Sequence, residues 1–325
     1  LLVSRSRKKL LLAAAVLVIA TIGVSLPNSA HLVRPLMIRG EYKGLPVIVT
    51  ATERSAGAIE SLMWGGIEFL DANDHGRDLQ SAISYDGLRE CDNPTEAGSS
   101  KDGDRPHSTS SMLLHASTAG NELRTYSQMA YWLWPGQISG ECGPARNETG
   151  GRLSSTHHAK TVRFLPGFDN VLEHTITFGM ARPRAMAQFE VLTAYMPEHF
   201  DTFYRYHVAK AEMEPLSDGP GEQSHPVVLA TRDGKHALGL MTLQKAGSGM
   251  KGPGYGRWRF GWQRVTKSNI VFRLKNAPAG RHRFVVYSVL GTLEDVRQTM
   301  RRLYADGGAD VSTASPRGVE VLAEN

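Results

Sequence analysis

Residues 171–178 read VLEHTITF. In an extended chain Glu173, Thr175 and Thr177 fall on one face and His174, Ile176 and Phe178 on the other. The same period of two recurs outward from this stretch, in PVIVTAT (46–52), AIESLMW (58–64), QSAISY (80–85), LRTYSQMAYWLW (123–134), FEVLTAYM (189–196), ALGLMTL (237–243), NIVFRL (269–274) and HRFVVYSVL (282–290). Turn clusters such as TAGN, LPGFDN, TRDGK and APAG separate the runs. Short alternating runs with turn signals between them predict an all-β chain, an antiparallel β-sandwich. No βαβ alternation is present, which excludes a doubly wound fold.

One helix is predicted, near 292–305 at the C-terminal end. Leu293, Val296, Met300 and Leu303 share a helical face, Asp295 follows Thr292 by three as in a capping box, and Gly307 and Gly308 mark the stop. The chain therefore divides into a signal peptide or N-terminal anchor (1–30), a single β-sandwich domain (31–305) and a loose tail (306–325).

With 325 residues, 41% hydrophobic and 21% charged, the chain buries a full-sized core and is not intrinsically disordered. Its formal charge of +5 is concentrated at one end. Arg5, Arg7, Lys8 and Lys9 precede an uncharged run from Leu10 to Leu26; without those four the chain has 33 basic against 32 acidic residues. Near-neutral charge gives no reason to expect nucleic acid as a partner. A basic cluster followed by an apolar run reads as an export signal, or as an uncleaved anchor that would be the only membrane contact. Either way the remainder is expected to be extracytoplasmic, periplasmic or secreted. Cys91 and Cys142 are the only cysteines. In an oxidising compartment they predict one disulfide, closing a loop of about fifty residues and contributing ~3–4 kcal/mol by loop entropy.

Two segments depart from the strand pattern. Residues 92–110 contain no large apolar residue, and loops of that length are functional or disordered. Residues 246–256 hold five glycines, which predicts a mobile hairpin, not a phosphate loop, because the following RWRFGW alternates like a strand. In that stretch Trp258, Phe260 and Trp262 are expected on a core face and Arg257 and Arg259 opposite.

Four polar clusters are candidate chemistry. Asp74, His75, Arg77 and Gln80 place a carboxylate, a base, a fixed cation and an amide within seven residues; the plain alternative is a surface turn with an Asp–Arg pair. Asn93 and Glu96 follow Cys91, and a disulfide would pin them. Gln128, Trp132 and Trp134 share a strand face, suited to sugar hydroxyls and ring faces, or else to ordinary packing. Glu190 falls by strict alternation with Leu192, Ala194 and Met196, where a carboxylate needs a partner; burial would raise its pKa. His174, with Ile176 and Phe178, reads as a satisfied core histidine. His157 and His158 lack chelating spacing, and no metal or cofactor is assigned.

The stretch AGAIESLMWGGIEFLDANDHGR (56–77) resembles the galactose mutarotase-like supersandwich, whose members often open with strands of the form G-x-I-x-x-L-x-W-x-G-x-E. The resemblance runs from Gly57 to about Tyr85. It implies carbohydrate contact more than a given reaction. Mutarotases in that superfamily use a His acid and a Glu base on a concave sheet, for which His75 and Glu190 are the nearest by type. The expected function is extracytoplasmic glycan hydrolysis by paired carboxylates, Glu190 with Glu96 or Asp74. His75, Arg77, Gln80 and Asn93 would orient a poly- or oligosaccharide, with Gln128, Trp132 and Trp134 beneath it. Sugar epimerisation or polysaccharide lyase chemistry is one alternative. A non-catalytic glycan-binding or envelope-structural module is the other.

Overall fold

The strands are, in chain order, β1 (Leu36–Tyr42), β2 (Leu45–Ala51), β3 (Ile59–Trp64), β4 (Ile67–Glu68), β5 (Leu79–Tyr85), β6 (Pro94–Thr95), β7 (Met112–Ala119), β8 (Glu122–Tyr131), β9 (Leu153–Phe164), β10 (Val171–Met180), β11 (Arg184–Pro197), β12 (Thr202–His207), β13 (Glu212–Leu216), β14 (Gly221–Gln223), β15 (Val227–Ala230), β16 (Ala237–Met241), β17 (Met250–Phe260), β18 (Val265–Ala277) and β19 (Gly280–Gly291), followed by one helix, α1 (Leu293–Asp310). The computed structural model describes residues 35–71, 77–86, 93–102, 109–138 and 143–310. The N-terminal segment, Asp74, His75, Cys91, Cys142 and the tail from 311 lie outside the described residues, and with them the proposed disulfide.

All pairings are antiparallel. One run is β1-β2-β3-β5-β11-β18-β17-β14. A second is β13-β12-β15-β16-β19-β10-β9-β8-β7. The two-residue strand β6 pairs with both β5 and β8 and so joins the runs along one side. Phe189 of β11 lies 5.3 Å from Phe178 of β10 and 5.1 Å from Phe284 of β19, and Phe272 of β18 lies 5.1 Å from Phe284. The runs are thus two layers packed on each other, the predicted all-β sandwich, with a core supplied by alternate residues of each strand. Each large apolar side chain so buried contributes about 2 kcal/mol.

His174 is fully buried, as expected, and its Nε2 makes a 2.8 Å hydrogen bond with Ser288 Oγ, while its Nδ1 has no hydrogen-bond partner among the described residues. A second, smaller core holds α1: Val296, Met300 and Leu303 pack with Tyr206, Val228 and Val289. Its capping box is reciprocal. Thr292 N–H donates to Asp295 Oδ2 at 3.0 Å and Asp295 N–H to Thr292 Oγ1 at 3.1 Å. Thr292→Ala is expected to lower stability by about 1 kcal/mol, read from the denaturant midpoint. The helix runs past the expected stop, through Gly307 to Asp310. Gly307 is a close approach: a Cβ there would stand 2.3 Å from Leu243 Cδ1.

Two further expectations are corrected. The glycine-rich segment is no hairpin loop, because β17 begins at Met250 and pairs with β18 and β14. Its glycines make room for neighbours: a Cβ on Gly254 would lie 2.3 Å from Glu222 Oε1, and one on Gly256 would lie 2.2 Å from the Trp258 ring. Nor do Trp258, Phe260 and Trp262 form a core face. The strand ends at Phe260, and Trp262 stands in a 3-10 turn, Gly261–Gln263, 85% exposed.

Candidate functional site

A β-bulge decides where the central carboxylate points. Along β11, Glu190 pairs with Val271 of β18, but Leu192 pairs with Ile270 and Thr193 with Asn269. One residue, Val191, is extra, and its carbonyl accepts a 2.7 Å hydrogen bond from Ser81 Oγ. An extra residue exchanges the two faces beyond it. Glu190 therefore does not share a face with Leu192, Ala194 and Met196, as strict alternation expects. It shares the outer face, away from the core, with Thr193 and Tyr195, and across the ladder with Lys267 and Asn269.

On that face Glu190 is 6% exposed. Its Oε2 accepts from Asn269 Nδ2 at 3.0 Å and Thr193 Oγ1 at 3.3 Å, and lies 3.5 Å from Lys267 Nζ. All three contacts fall on Oε2, and none of them on Oε1. Lys267 Nζ stands 4.8 Å from the centre of the Trp258 ring and 5.3 Å from that of Tyr195. Asn269 is aimed by its other end, where Oδ1 accepts the Gly256 N–H at 3.2 Å. Burial pushes the Glu190 carboxyl up; the charge of Lys267 and the hydrogen bonds from Asn269 and Thr193 outweigh it and hold the group below the usual carboxylate range. Glu190 is ionised. Gln80 of β5 pairs in register with Thr193, and its Oε1 accepts the Ala97 N–H at 3.1 Å. Further along, Arg273 holds Glu222 through two 2.7 Å bonds and Gln188 through a third.

The sequence-predicted residues divide. Gln80 and Glu190 come together on this face. The partner that Glu190 needs is supplied by Lys267; Arg77 instead reaches Asp71 at 3.3 Å and the Gln263 carbonyl at 3.4 Å. Glu96 is not beside Glu190. It is wholly buried between the layers, where Oε2 meets Lys160 Nζ at 2.5 Å and accepts the Ser81 N–H at 3.0 Å. His158 Nδ1 approaches its Oε1 at 3.6 Å. Burial, with Lys160 acting in the same direction, pushes His158 down to about 4, so His158 is neutral and the approach is no ion pair. Asn93 is buried, and its backbone carbonyl accepts the Trp132 N–H at 2.9 Å.

Gln128 donates to the Ser154 carbonyl at 2.8 Å. The strand ends at Tyr131, so Trp132 and Trp134 do not continue its face. Trp132 packs against Leu133 and Ala145, and the Trp134 ring is covered by the Arg152 guanidinium at 3.6 Å. Neither ring is the open platform expected from alternation. The aromatic residues that border Glu190 are Trp258 and Tyr195. Lys267 and Asn269 were missed, although the polar run Thr266-Lys267-Ser268-Asn269 ahead of the apolar Ile270, Val271 and Phe272 carries a signal.

No family model matches the chain, and no curated protein matches it. Among solved structures it is similar to the heparan sulfate lyase HepC of Pedobacter heparinus, at 10% identity and a TM-score of 0.40, over 82% of this chain and 36% of that one. It is similar also to the GH36 alpha-galactosidase AgaB of Geobacillus stearothermophilus, at 8% identity and TM-score 0.43, over 81% and 41% of the two chains. A third is a protein described as an aldose 1-epimerase from Klebsiella pneumoniae, at 8% and 0.40, over 82% and 85%. The chain thus spans about a third of the length of the heparan sulfate lyase.

Proposed function

We propose that this protein is a carbohydrate-active enzyme that moves protons between adjacent atoms of a saccharide on its outer face, with Glu190 as base and Lys267 as acid. The observation that carries this reading is the ionised Glu190, tied down through Oε2 with Oε1 left out of the network, beside a lysine framed by two aromatic rings. In the reaction Oε1 takes a proton from the sugar, while Nζ gives one to an oxygen on the same or the neighbouring carbon. Two groups 3.5 Å apart suit that short transfer. Hydrolysis by paired carboxylates requires roughly 5–9.5 Å between carboxyls and, at the outset, one of them protonated. Glu190 is held ionised, and Glu96 is occupied by Lys160 inside the sandwich. This supports the epimerase or lyase reading over the hydrolase reading. The basic cluster and apolar run of residues 5–26 support an extracytoplasmic site of action.

The test is a panel of mono-, oligo- and polysaccharides offered to the purified protein with three readouts. Change in optical rotation reports epimerisation at the anomeric carbon, ultraviolet absorbance reports elimination, and new reducing ends report hydrolysis. One of the first two is expected. Reducing ends without unsaturation would overturn the proton-transfer reading, and binding without turnover would favour a non-catalytic module.

A further inference from the structure

Away from Glu190, at the end of the β17–β18 pair, lies a surface pocket of about 310 Å³. Its walls include Glu198, His199, Asp201, Arg259, Gly261 and Arg264. The turn that supplies Gly261 also carries Trp262, the most exposed large apolar side chain among the described residues. Val265 and Thr266, also in the pocket's walls, lie four and three residues along β18 from Asn269, whose amide holds the Glu190 carboxylate, so pocket and carboxylate are separated by roughly 10–13 Å. Nothing in the acid–base chemistry proposed above uses this place.

From this arrangement we infer that the pocket is a second saccharide-binding site, for a neutral sugar unit, with Trp262 as its stacking platform. Charge decides the class of ligand. Two arginines and two carboxylates stand in the walls, and they are already matched: Arg264 with Glu198, and Arg259 with Asp218 at 3.3 Å, its Nη2 also donating to the Asp201 backbone carbonyl at 2.7 Å. Arg232, from outside the walls, pairs with Asp201 at 2.5 Å. The pocket therefore carries no excess charge to draw an anion or a cation. It does carry fixed donors and fixed acceptors close together, which is what neighbouring hydroxyls, each donor and acceptor, require. An indole left in water has an apolar face to cover, and the apolar face of a pyranose ring covers it. The volume is at the lower end for ligand pockets, the size of a small ring and not of a long chain segment.

The experiment is titration of the full chain with maltohexaose, cellohexaose, laminarihexaose, xylohexaose and chitohexaose, followed by tryptophan emission and calorimetry, with hexagalacturonate as the anionic comparison. At least one neutral probe is expected to bind, more tightly than hexagalacturonate. Trp262→Ala is expected to weaken it at least tenfold, and Trp262→Phe to keep most of the affinity. Because the side chain is exposed, these variants keep the fold, which the unfolding midpoint checks. Glu190→Gln is expected to leave this binding unchanged, which separates the pocket from the catalytic reading. The inference is overturned if no neutral probe binds at millimolar concentration, if hexagalacturonate binds best, or if Trp262→Ala binds as the parent does.

Discussion

Glu190→Gln is expected to lower kcat by about 10²–10⁴-fold with KM little changed, the range for removing a positioned acid–base group. The amide keeps the shape of the carboxylate and accepts one hydrogen bond at Oε1, but it cannot take a proton. The change also has a stability side. Lys267 is 5% exposed, and Glu190 is its ion-pair partner at 3.5 Å. With the carboxylate neutralised, a buried ammonium loses that partner, a change that costs about 3–5 kcal/mol when no other group compensates. The aromatic rings of Trp258 and Tyr195 recover part of this. A measurable drop in the unfolding midpoint is therefore expected for Glu190→Gln alone. Glu190→Gln combined with Lys267→Met removes both charges and is expected to restore most of the midpoint while turnover stays lost. That combination tells a catalytic carboxylate from a structural one: if turnover returned together with stability, the loss in the single variant would have come from unfolding and Glu190 would leave the mechanism.

The fold was readable wherever a strand contrasts its two faces, as β10 does with threonines on one side and Ile176 and Phe178 on the other. It was unreadable in β9. There Ser154, Thr156, His158 and Lys160 are buried ahead of Val162 and Phe164, so most of the inward face is polar and an apolar period marks only the end of the strand. The segment from Asn93 to Ser99 misled for a related reason. It has no large apolar residue, yet every one of its residues is buried. Hydrogen bonds to Gln80, Asp102 and the Trp132 carbonyl, and the Glu96–Lys160 pair, replace the missing apolar contacts.

At the site, chemistry was legible before geometry. A carboxylate inside an apolar strand such as FEVLTAYM singles out Glu190 without any structure. Its direction was not legible, because one extra residue at Val191 reverses the face and leaves no mark in the alternation. Its partners were not legible either. Lys267 and Asn269 lie about eighty residues away and meet Glu190 only through the register of β11 on β18. Sequence spacing says nothing of which strands become neighbours in an antiparallel sheet with nonlocal pairing.

The buried Glu96–Lys160 pair should be the most sensitive point in the domain. Both side chains are essentially inaccessible, with Nζ 2.5 Å from Oε2 and a second bond from Nζ to the Leu79 carbonyl at 3.3 Å. Lys160→Met leaves Glu96 charged in the interior and is expected to cost about 3–5 kcal/mol, a fall in Tm on the order of 10 °C. Glu96→Gln with Lys160→Met removes both charges and is expected to recover most of that loss, since a buried pair exchanged for neutral groups of similar volume is near neutral in energy. A double variant as unstable as the single one would show that the pair contributes through hydrogen bonds to the backbone and not through charge. The same cluster sets an acid limit. Burial lowers His158 to about 4 and His174 to about 3, with Lys160 acting in the same direction on both. In the unfolded chain both titrate near 6.5, so between that value and their folded values the unfolded state binds more protons, and stability falls as pH falls. Their full contribution is present above about pH 6.5, is lost progressively below it, and levels off only beneath the folded values. Denaturant midpoints measured at about pH 7 and about pH 5 are therefore expected to differ, and His158→Gln is expected to reduce the difference by removing one of the protons taken up on unfolding, to which His157, His225, His236 and His282, each lowered by burial, also contribute. An unchanged difference in that variant would assign the acid sensitivity to the other histidines lowered by burial, among them His174, whose Nε2 is held by Ser288 at 2.8 Å, or to the carboxylates.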